Sequence, residues 1–186
     1  MDILNTLIRI GILIFAYMTI WFIISLIKRR NDVADIAWGM GFILISVYNL
    51  YTNFNTRILL ISILVLIWGL RLAIHIYKRN KNKKEDFRYL QWRHSWGKYF
   101  YLRSYLQVYL LQGFFMWLIA FPININSSGF SIINIFGLVI WLFGFYYEST
   151  ADAQLAKFLK DPKNKDKIMD QGLCGRPVVT LIILVK

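Results

Sequence analysis

The stretch Lys78–Arg103, KRNKNKKEDFRYLQWRHSWGKYFYLR, lies between two long apolar runs, Arg57–Tyr77 and Tyr105–Phe121. It holds nine Lys or Arg against two acids and is interleaved with aromatic residues. The flanking runs have lengths that suit the roughly 30 Å hydrocarbon core at about 1.5 Å per residue. The pattern predicts membrane helices joined by a cationic segment, which could bind anionic headgroups or the phosphates of a cofactor.

Composition agrees with a membrane protein. Of the 186 residues, 58% are hydrophobic, more than a soluble domain of this size could cover. The net charge of +12 does not indicate nucleic acid, because the basic residues cluster between apolar runs. Cys174 is the only cysteine, and His75 and His94 lie on different segments, so neither a disulfide framework nor a metal site is expected.

The chain reads as an all-α, multi-pass transmembrane bundle in one domain, residues 1–173. Five spans are predicted, at Ile3–Ile27, Val33–Tyr51, Arg57–Tyr77, Tyr105–Phe121 and Ile132–Tyr147. No break signal separates the fifth span from Glu148–Lys160, so one helix should continue through both. The first run is too long for a removable signal peptide and is expected to be a span.

The distribution of basic residues predicts the orientation. The connections Lys28–Asp35, Lys78–Arg103 and Glu148–Gln171 hold three, nine and five Lys or Arg, whereas Thr52–Arg57 holds one and Pro122–Gly129 none. By the positive-inside rule, the first group is cytosolic and the N-terminus lies outside. We therefore expect an integral membrane protein, in the cytoplasmic membrane if the source is a bacterium.

Asp35 stands near the cytosolic end of the second span. Asp35, Trp38 and Phe42 share one helical face, which could line a pocket for a flat apolar substrate. Alternatively, Asp35 caps the helix and Trp38 anchors it at the interface.

Two further pairs of polar residues occur on the spans. Arg71 and His75 lie one turn apart on the third span, and Arg71 could bind an anion or pair with Asp35, or both residues could extend to the headgroups. Glu148 and Asp152 lie one turn apart after the fifth span. As like charges they need a compensating partner, either the basic segment or a nucleotide, unless they form a solvated helix face.

Five short motifs occur in a characteristic order. They are Asp35-xx-Trp38-Gly39, Trp68-Gly69-Leu70-Arg71-Leu72, Glu85-Asp86-xx-Arg88-Tyr89, Leu111-Gln112-Gly113 and Glu148-xx-Ala151-Asp152-x-Gln154-Leu155. Their order and spacing, from Asp35 to Gly172, resemble the DUF1295 family, relatives of the steroid 5-alpha-reductase C-terminal domain.

The resemblance implies an all-helical membrane reductase that binds NADPH from the cytosolic side. Its substrate would be a lipid-like or steroid-like enone, whose carbon–carbon double bond is reduced. By the same resemblance, Arg71, Arg88, Tyr89, Glu148 and Asp152 are cofactor-binding residues. Asp35 would be the catalytic acid that polarises the substrate carbonyl.

The resemblance ends after Leu173. The family continues with a Trp and then SRHPNYFGE, whereas this chain ends in a different sequence, residues 174–186. Synonymous codons for Pro177–Lys186 can encode SRHPNYFGE in the adjacent frame, so we expect a frameshifted tail, which the nucleotide sequence after codon 173 would test. Because the family's motif helps to hold the cofactor, this form is expected to bind NADPH weakly or not at all and to be an impaired version of a longer reductase.

Two other functions fit parts of the pattern. The isoprenylcysteine methyltransferases are similar in their membrane-helical core but use S-adenosylmethionine. The second alternative is a non-catalytic basic membrane protein that binds anionic lipid. This alternative predicts that Arg88→Lys, which keeps the charge, is harmless. Glu148, Asp152 and the Glu85–Tyr89 motif favour the reductase.

Overall fold

The computed structural model describes residues 3–81, 83–124 and 131–164, together with residues 167, 169 and 172. It is 89% helical, and no strand occurs among these residues. Five helices are long and apolar enough to cross a membrane, which confirms the predicted fold class. The chain divides into two compact units, Met1–Phe130 and Ser131–Lys186, which we describe separately.

The helices follow the apolar runs closely. They are α1 (Ile3–Lys28), α2 (Val33–Thr52), α3 (Thr56–Asn80), α4 (Phe87–Trp96), α5 (Phe100–Arg103), α6 (Leu111–Ala120) and α7 (Ile132–Lys160). A seven-residue π-helix, Ser104–Leu110, joins α5 to α6. Short 3-10 turns lie at Gly97–Tyr99, Phe121–Asn124 and Pro162–Asn164. The predicted domain end at Leu173 and the predicted frameshifted tail lie outside the described residues.

The basic segment contains a helix, α4, which its polar composition did not predict. Asp86 begins α4, because its Oδ1 accepts a hydrogen bond from the backbone N–H of Arg88 at 3.0 Å. From Phe87 the chain stays mostly helical to Ile123, so the fourth candidate span begins well before the predicted Tyr105. In the second unit, α7 is one uninterrupted helix, which confirms that the fifth run continues without a break.

Helices α2 and α3 form the closest crossing in the first unit. A Cβ atom added to Gly39 would lie 2.8 Å from the carbonyl oxygen of Gly69, and one added to Gly69 would lie 2.7 Å from the carbonyl oxygen of Gly39. Backbone atoms cannot move aside as a flexible side chain can, so this crossing requires glycine on both helices. Further along, the Ser62 hydroxyl donates to the Ser46 carbonyl at 3.2 Å.

Helix α1 packs against α2, the π-helix and α6. Its buried side chains recur every four residues, at Ile10, Ile14 and Met18. The Tyr17 hydroxyl donates to the Ala37 carbonyl at 2.9 Å, and the Trp117 indole N–H donates to the Leu7 carbonyl at 3.0 Å. These bonds satisfy polar groups that lipid could not satisfy, and so they fix the contacts between the helices.

Candidate functional site

Asp35 lies in the first turn of α2, but it does not cap the helix. The N-cap position belongs to Asp32, whose side chain forms no capping hydrogen bond. The Asp35 Oδ1 atom instead accepts a hydrogen bond from the Tyr89 hydroxyl of α4, at 3.1 Å. Its side chain is 20% exposed. The structure therefore favours the pocket interpretation of Asp35 over the capping interpretation.

Tyr89 reaches Asp35 because α4 holds it in the interior. The residue is only 4% exposed, and the Trp92 ring packs against its ring edge to face, with centroids 5.3 Å apart. A buried hydroxyl requires a hydrogen-bond partner, and Asp35 supplies it. The Oδ1 atom of Asp35 thus has a hydrogen bond within the protein, whereas Oδ2 faces other groups.

Two guanidinium groups face the second carboxylate oxygen. The Nη2 atoms of Arg79 and Arg88 each lie 3.8 Å from Asp35 Oδ2, beyond hydrogen-bond distance but close enough for strong attraction. Arg88 is held in place by Asp86, to which its Nε and Nη2 atoms donate at 3.0 and 3.1 Å. These hydrogen bonds lower the pKa of the Asp86 carboxyl below its ordinary value.

These groups border a cleft of about 310 Å³. It is lined by Asp35, Trp38, Leu72, Ile76, Arg79, Arg88 and Gln112. The Trp38 ring is braced by Phe42, with centroids 5.2 Å apart. The cleft therefore combines an apolar wall with a carboxyl group, two cations and an amide, a composition typical of small-molecule sites.

A network of buried polar groups fastens α4 to the turn between α1 and α2. Glu85, whose side chain is 6% exposed, accepts from the backbone N–H of Asn31 at 2.6 Å and from Arg93 Nη2 at 3.2 Å. The Asn31 side chain donates to the Ser104 hydroxyl at 2.9 Å, at the start of the π-helix. Removing Glu85 would leave Arg93 without this partner, so the network holds the elements that carry Tyr89 and Arg88.

Arg30 forms a second connection between the same elements. It pairs with both carboxylate oxygens of Asp32, at 3.0 and 2.6 Å, and donates to the Lys83 carbonyl at 3.0 Å. The side-chain hydrogen bond to Asp32 raises the pKa of Arg30 above its ordinary value. Because Asp32 is almost fully buried, this pair keeps its charge compensated.

The structure brings some of the predicted site residues together. Asp35, Arg88 and Tyr89 meet at one place. Arg71 lies on α3, two turns before Arg79, and Arg79 faces Asp35. The pairing of Arg71 with Asp35 stays a prediction. The roles of Arg71, Arg88 and Tyr89 in holding a cofactor also stay predictions.

Glu148 and Asp152 belong to the second unit. They lie one turn apart on α7, and both are partly buried. The roles of Glu148 and Asp152 in cofactor binding stay predictions.

Sequence reasoning missed two polar residues of the lining. Arg79 follows Leu72 and Ile76 at helical spacing, so the periodicity of α3 could have placed it on the cleft face. Arg79 is one of many basic residues that follow the span, and the sequence alone does not distinguish it from them. Gln112 belongs to the Leu111-Gln112-Gly113 motif, but no role had been assigned to it.

Comparisons with known proteins place the chain in a family. A search of curated proteins and a search of solved structures each gave no match. In contrast, the family model described as "Protein of unknown function (DUF1295)" matches residues 21–175, which include α2 to α7 and every residue of the Asp35 cleft. The chain is therefore a helical membrane protein that belongs to the DUF1295 family.

Proposed function

We propose that the Asp35 cleft is the substrate end of a membrane-embedded, NADPH-dependent reductase that acts on the carbon–carbon double bond of a lipid-like enone. The observation that carries the proposal is a carboxyl group held by a buried tyrosine hydroxyl, beside two guanidinium groups and an apolar wall. Family membership supports it, because the motifs that resemble the steroid reductases include Asp35, Arg88 and Tyr89.

The cleft offers apolar side chains to the ring or chain of an enone and polar groups to its carbonyl end. Trp38, Leu72 and Ile76 offer an apolar surface to a flat ring or chain. The carbonyl oxygen of such a substrate gains negative charge during reduction, so it needs hydrogen-bond donors that are already in place. Tyr89 orients the Asp35 carboxyl through Oδ1, so in the protonated form of the acid Oδ2 is the atom that donates a hydrogen bond to the carbonyl.

The residues present fit a phosphate-bearing cofactor in part. The side chains of Arg79 and Arg88 are 45% and 51% exposed, and guanidinium groups bind phosphate through paired hydrogen bonds. When bound, NADPH supplies the hydride. By the family resemblance alone, Arg71, Glu148 and Asp152 are further candidates for cofactor binding.

The substrate end is tested by enone binding to the purified chain, which does not depend on turnover. Tryptophan fluorescence reports binding because Trp38 lines the cleft. We expect Asp35→Asn to weaken binding of a steroid-like enone, but not of the corresponding compound without its carbonyl group. Asp161→Asn, which removes an acid elsewhere, should change neither affinity. Equal affinities of the wild type for the two compounds would refute the proposed role of the carboxyl group.

The cofactor is tested by comparing NADPH with S-adenosylmethionine in the same preparation. We expect NADPH to bind weakly but more tightly than S-adenosylmethionine. Arg88→Lys should weaken NADPH binding because Lys cannot form the paired hydrogen bonds of Arg. Arg103→Lys, the same change at an exposed position, is the control. Preference for S-adenosylmethionine would favour a methyltransferase instead.

A further inference from the structure

A second cleft, of about 320 Å³, lies where α1 ends and the chain turns into α2. Its lining includes Leu26, Arg29, Arg93, Phe100 and Tyr101, and it shares no lining residue with the Asp35 cleft. It lies where the apolar run of α1 gives way to basic residues, a position typical of the boundary between hydrocarbon and headgroups. The proposed reductase chemistry makes no use of it.

Arg93 is fixed on one side of this cleft. Its Nη2 atom donates to Glu85 at 3.2 Å, and its guanidinium carbon lies 4.1 Å from the centre of the Phe100 ring. Its hydrogen bonds within the described part of the chain all come from Nη2. The Nε and Nη1 donors are therefore available, and the guanidinium group is already oriented for a ligand.

Arg29 has an unusual backbone conformation. Its φ is 53°, in the left-handed region where a residue with a Cβ atom is disfavoured and where helices commonly end on glycine. Its side chain is exposed and forms no hydrogen bond or ion pair with the described residues. Glycine would make this turn at lower cost, so the turn itself does not explain the arginine. Arg29 is one of the residues that line the cleft.

The charges and the apolar rim indicate the ligand class. Arg29 and Arg93 carry two positive charges, and Glu85, which pairs with Arg93, carries one negative charge, so the groups at this cleft have a net positive charge. Leu26 and Ile27, 39% and 78% exposed, continue the apolar face of α1 from the rim. We infer that this cleft binds the phosphodiester headgroup of an anionic membrane lipid, whose acyl chains lie along α1.

Arg29→Gly gives a sharp test because it should leave folding intact. The glycine removes the guanidinium group and also relieves the left-handed strain, so the variant should melt at the same or a higher temperature than the wild type without added lipid. Phosphatidylglycerol added to the detergent-purified protein should raise the melting temperature of the wild type. The apparent affinity for this lipid should fall roughly tenfold or more in Arg29→Gly, since a charge-assisted hydrogen bond is lost.

The controls separate a built site from general attraction. Arg103→Gln loses the same charge from an exposed position outside the cleft and should keep the response to phosphatidylglycerol. Phosphatidylcholine, with no net charge, and inorganic phosphate should each have much smaller effects. Native mass spectrometry should find retained phosphatidylglycerol on the wild type and less on Arg29→Gly.

Several results would overturn the inference. An undiminished response in Arg29→Gly, or an equal loss in Arg103→Gln, would show that the lipid is attracted by overall charge alone. An equal response to inorganic phosphate would assign the cleft to a free anion instead of a lipid. None of these results bears on enone or NADPH binding at Asp35.

Discussion

At the scale of single residues, Asp35 depends on groups that are distant in sequence. Tyr89 and Arg88 come from α4, and Arg79 comes from α3. The carboxyl group sits near the end of a membrane helix, where an isolated charge would be costly. Its neighbours compensate it through one hydrogen bond and two cations at 3.8 Å. The last two contacts are charge attractions and not direct hydrogen bonds.

The hydrogen bond between Tyr89 and Asp35 can be tested through stability. In Tyr89→Phe the ring can still pack on Trp92, but Asp35 loses its donor. We expect the free energy of unfolding to fall by about 1 kcal/mol, the usual loss for one such bond. Thermal unfolding in detergent measures it. Tyr99→Phe, at a tyrosine that is 55% exposed, should have no effect, and equal changes in the two variants would argue against the bond.

Asp86 makes stability depend on pH. Hydrogen bonds from Arg88 hold its folded-state pKa below the ordinary value, so its contribution is present above the unfolded pKa of about 3.9 and is lost as the pH falls through the folded pKa. Asp86→Asn keeps a side-chain oxygen that can cap α4 but removes the ion pair. The melting-temperature difference between wild type and variant should therefore be constant above about pH 5 and shrink below about pH 3.9. A difference that grows on acidification would contradict this assignment.

At the scale of helices, hydropathy predicted the spans well and the basic segment poorly. Long apolar runs can only be buried or lipid-facing, so α1, α2 and α3 begin and end within a few residues of the predictions, and α7 continues to Lys160 as predicted. Helix α4 lacks such a run. It depends on a cap at Asp86 and on contacts with the distant α1–α2 turn, which a local pattern does not reveal. The π-helix likewise has no signal in the apolar pattern.

The crossing of α2 and α3 gives a prediction for the helix pair. Gly39→Ala would place a Cβ atom 2.8 Å from a backbone oxygen, so the helices must separate. We expect a loss of about 1–3 kcal/mol in the free energy of unfolding, as for other overpacked interiors. Enone binding at the Asp35 cleft should weaken as well, because the same helix pair carries Asp35 and Arg79.

The control for this crossing is a glycine within a helix but outside a close contact. Among the described residues, nothing lies within 4 Å of a Cβ atom added to Gly137 of α7. Gly137→Ala should therefore be neutral or stabilising by up to about 1 kcal/mol, since alanine favours helix more than glycine does. If Gly39→Ala were as well tolerated, the close crossing would be incorrect.

At the scale of the whole molecule, the site was partly predictable because its residues obey helical periodicity. Asp35 and Trp38 of the predicted face line the cleft, whereas Phe42, its third residue, is buried and packs against Trp38. Arg79 was not singled out, because which arginines of α3 face Asp35 depends on how α2 and α3 are rotated at the Gly39–Gly69 crossing. That rotation is set by tertiary contacts, so the sequence pattern offered several basic candidates and no means of choosing.

The strong asymmetry of basic residues makes the orientation of the chain testable. Nearly all the Lys and Arg between the spans lie in three connections, and the α2–α3 connection holds one. The positive-inside rule therefore predicts that Lys84 is cytosolic and Phe54 is outside. Cys174 is the only cysteine, and Cys174→Ser gives a background without thiols. In that background, Phe54→Cys should react with a membrane-impermeant maleimide in intact cells, because Phe54 is 75% exposed. Lys84→Cys should react only after the membrane is permeabilised, and the opposite pattern would place both proposed clefts on the outer face.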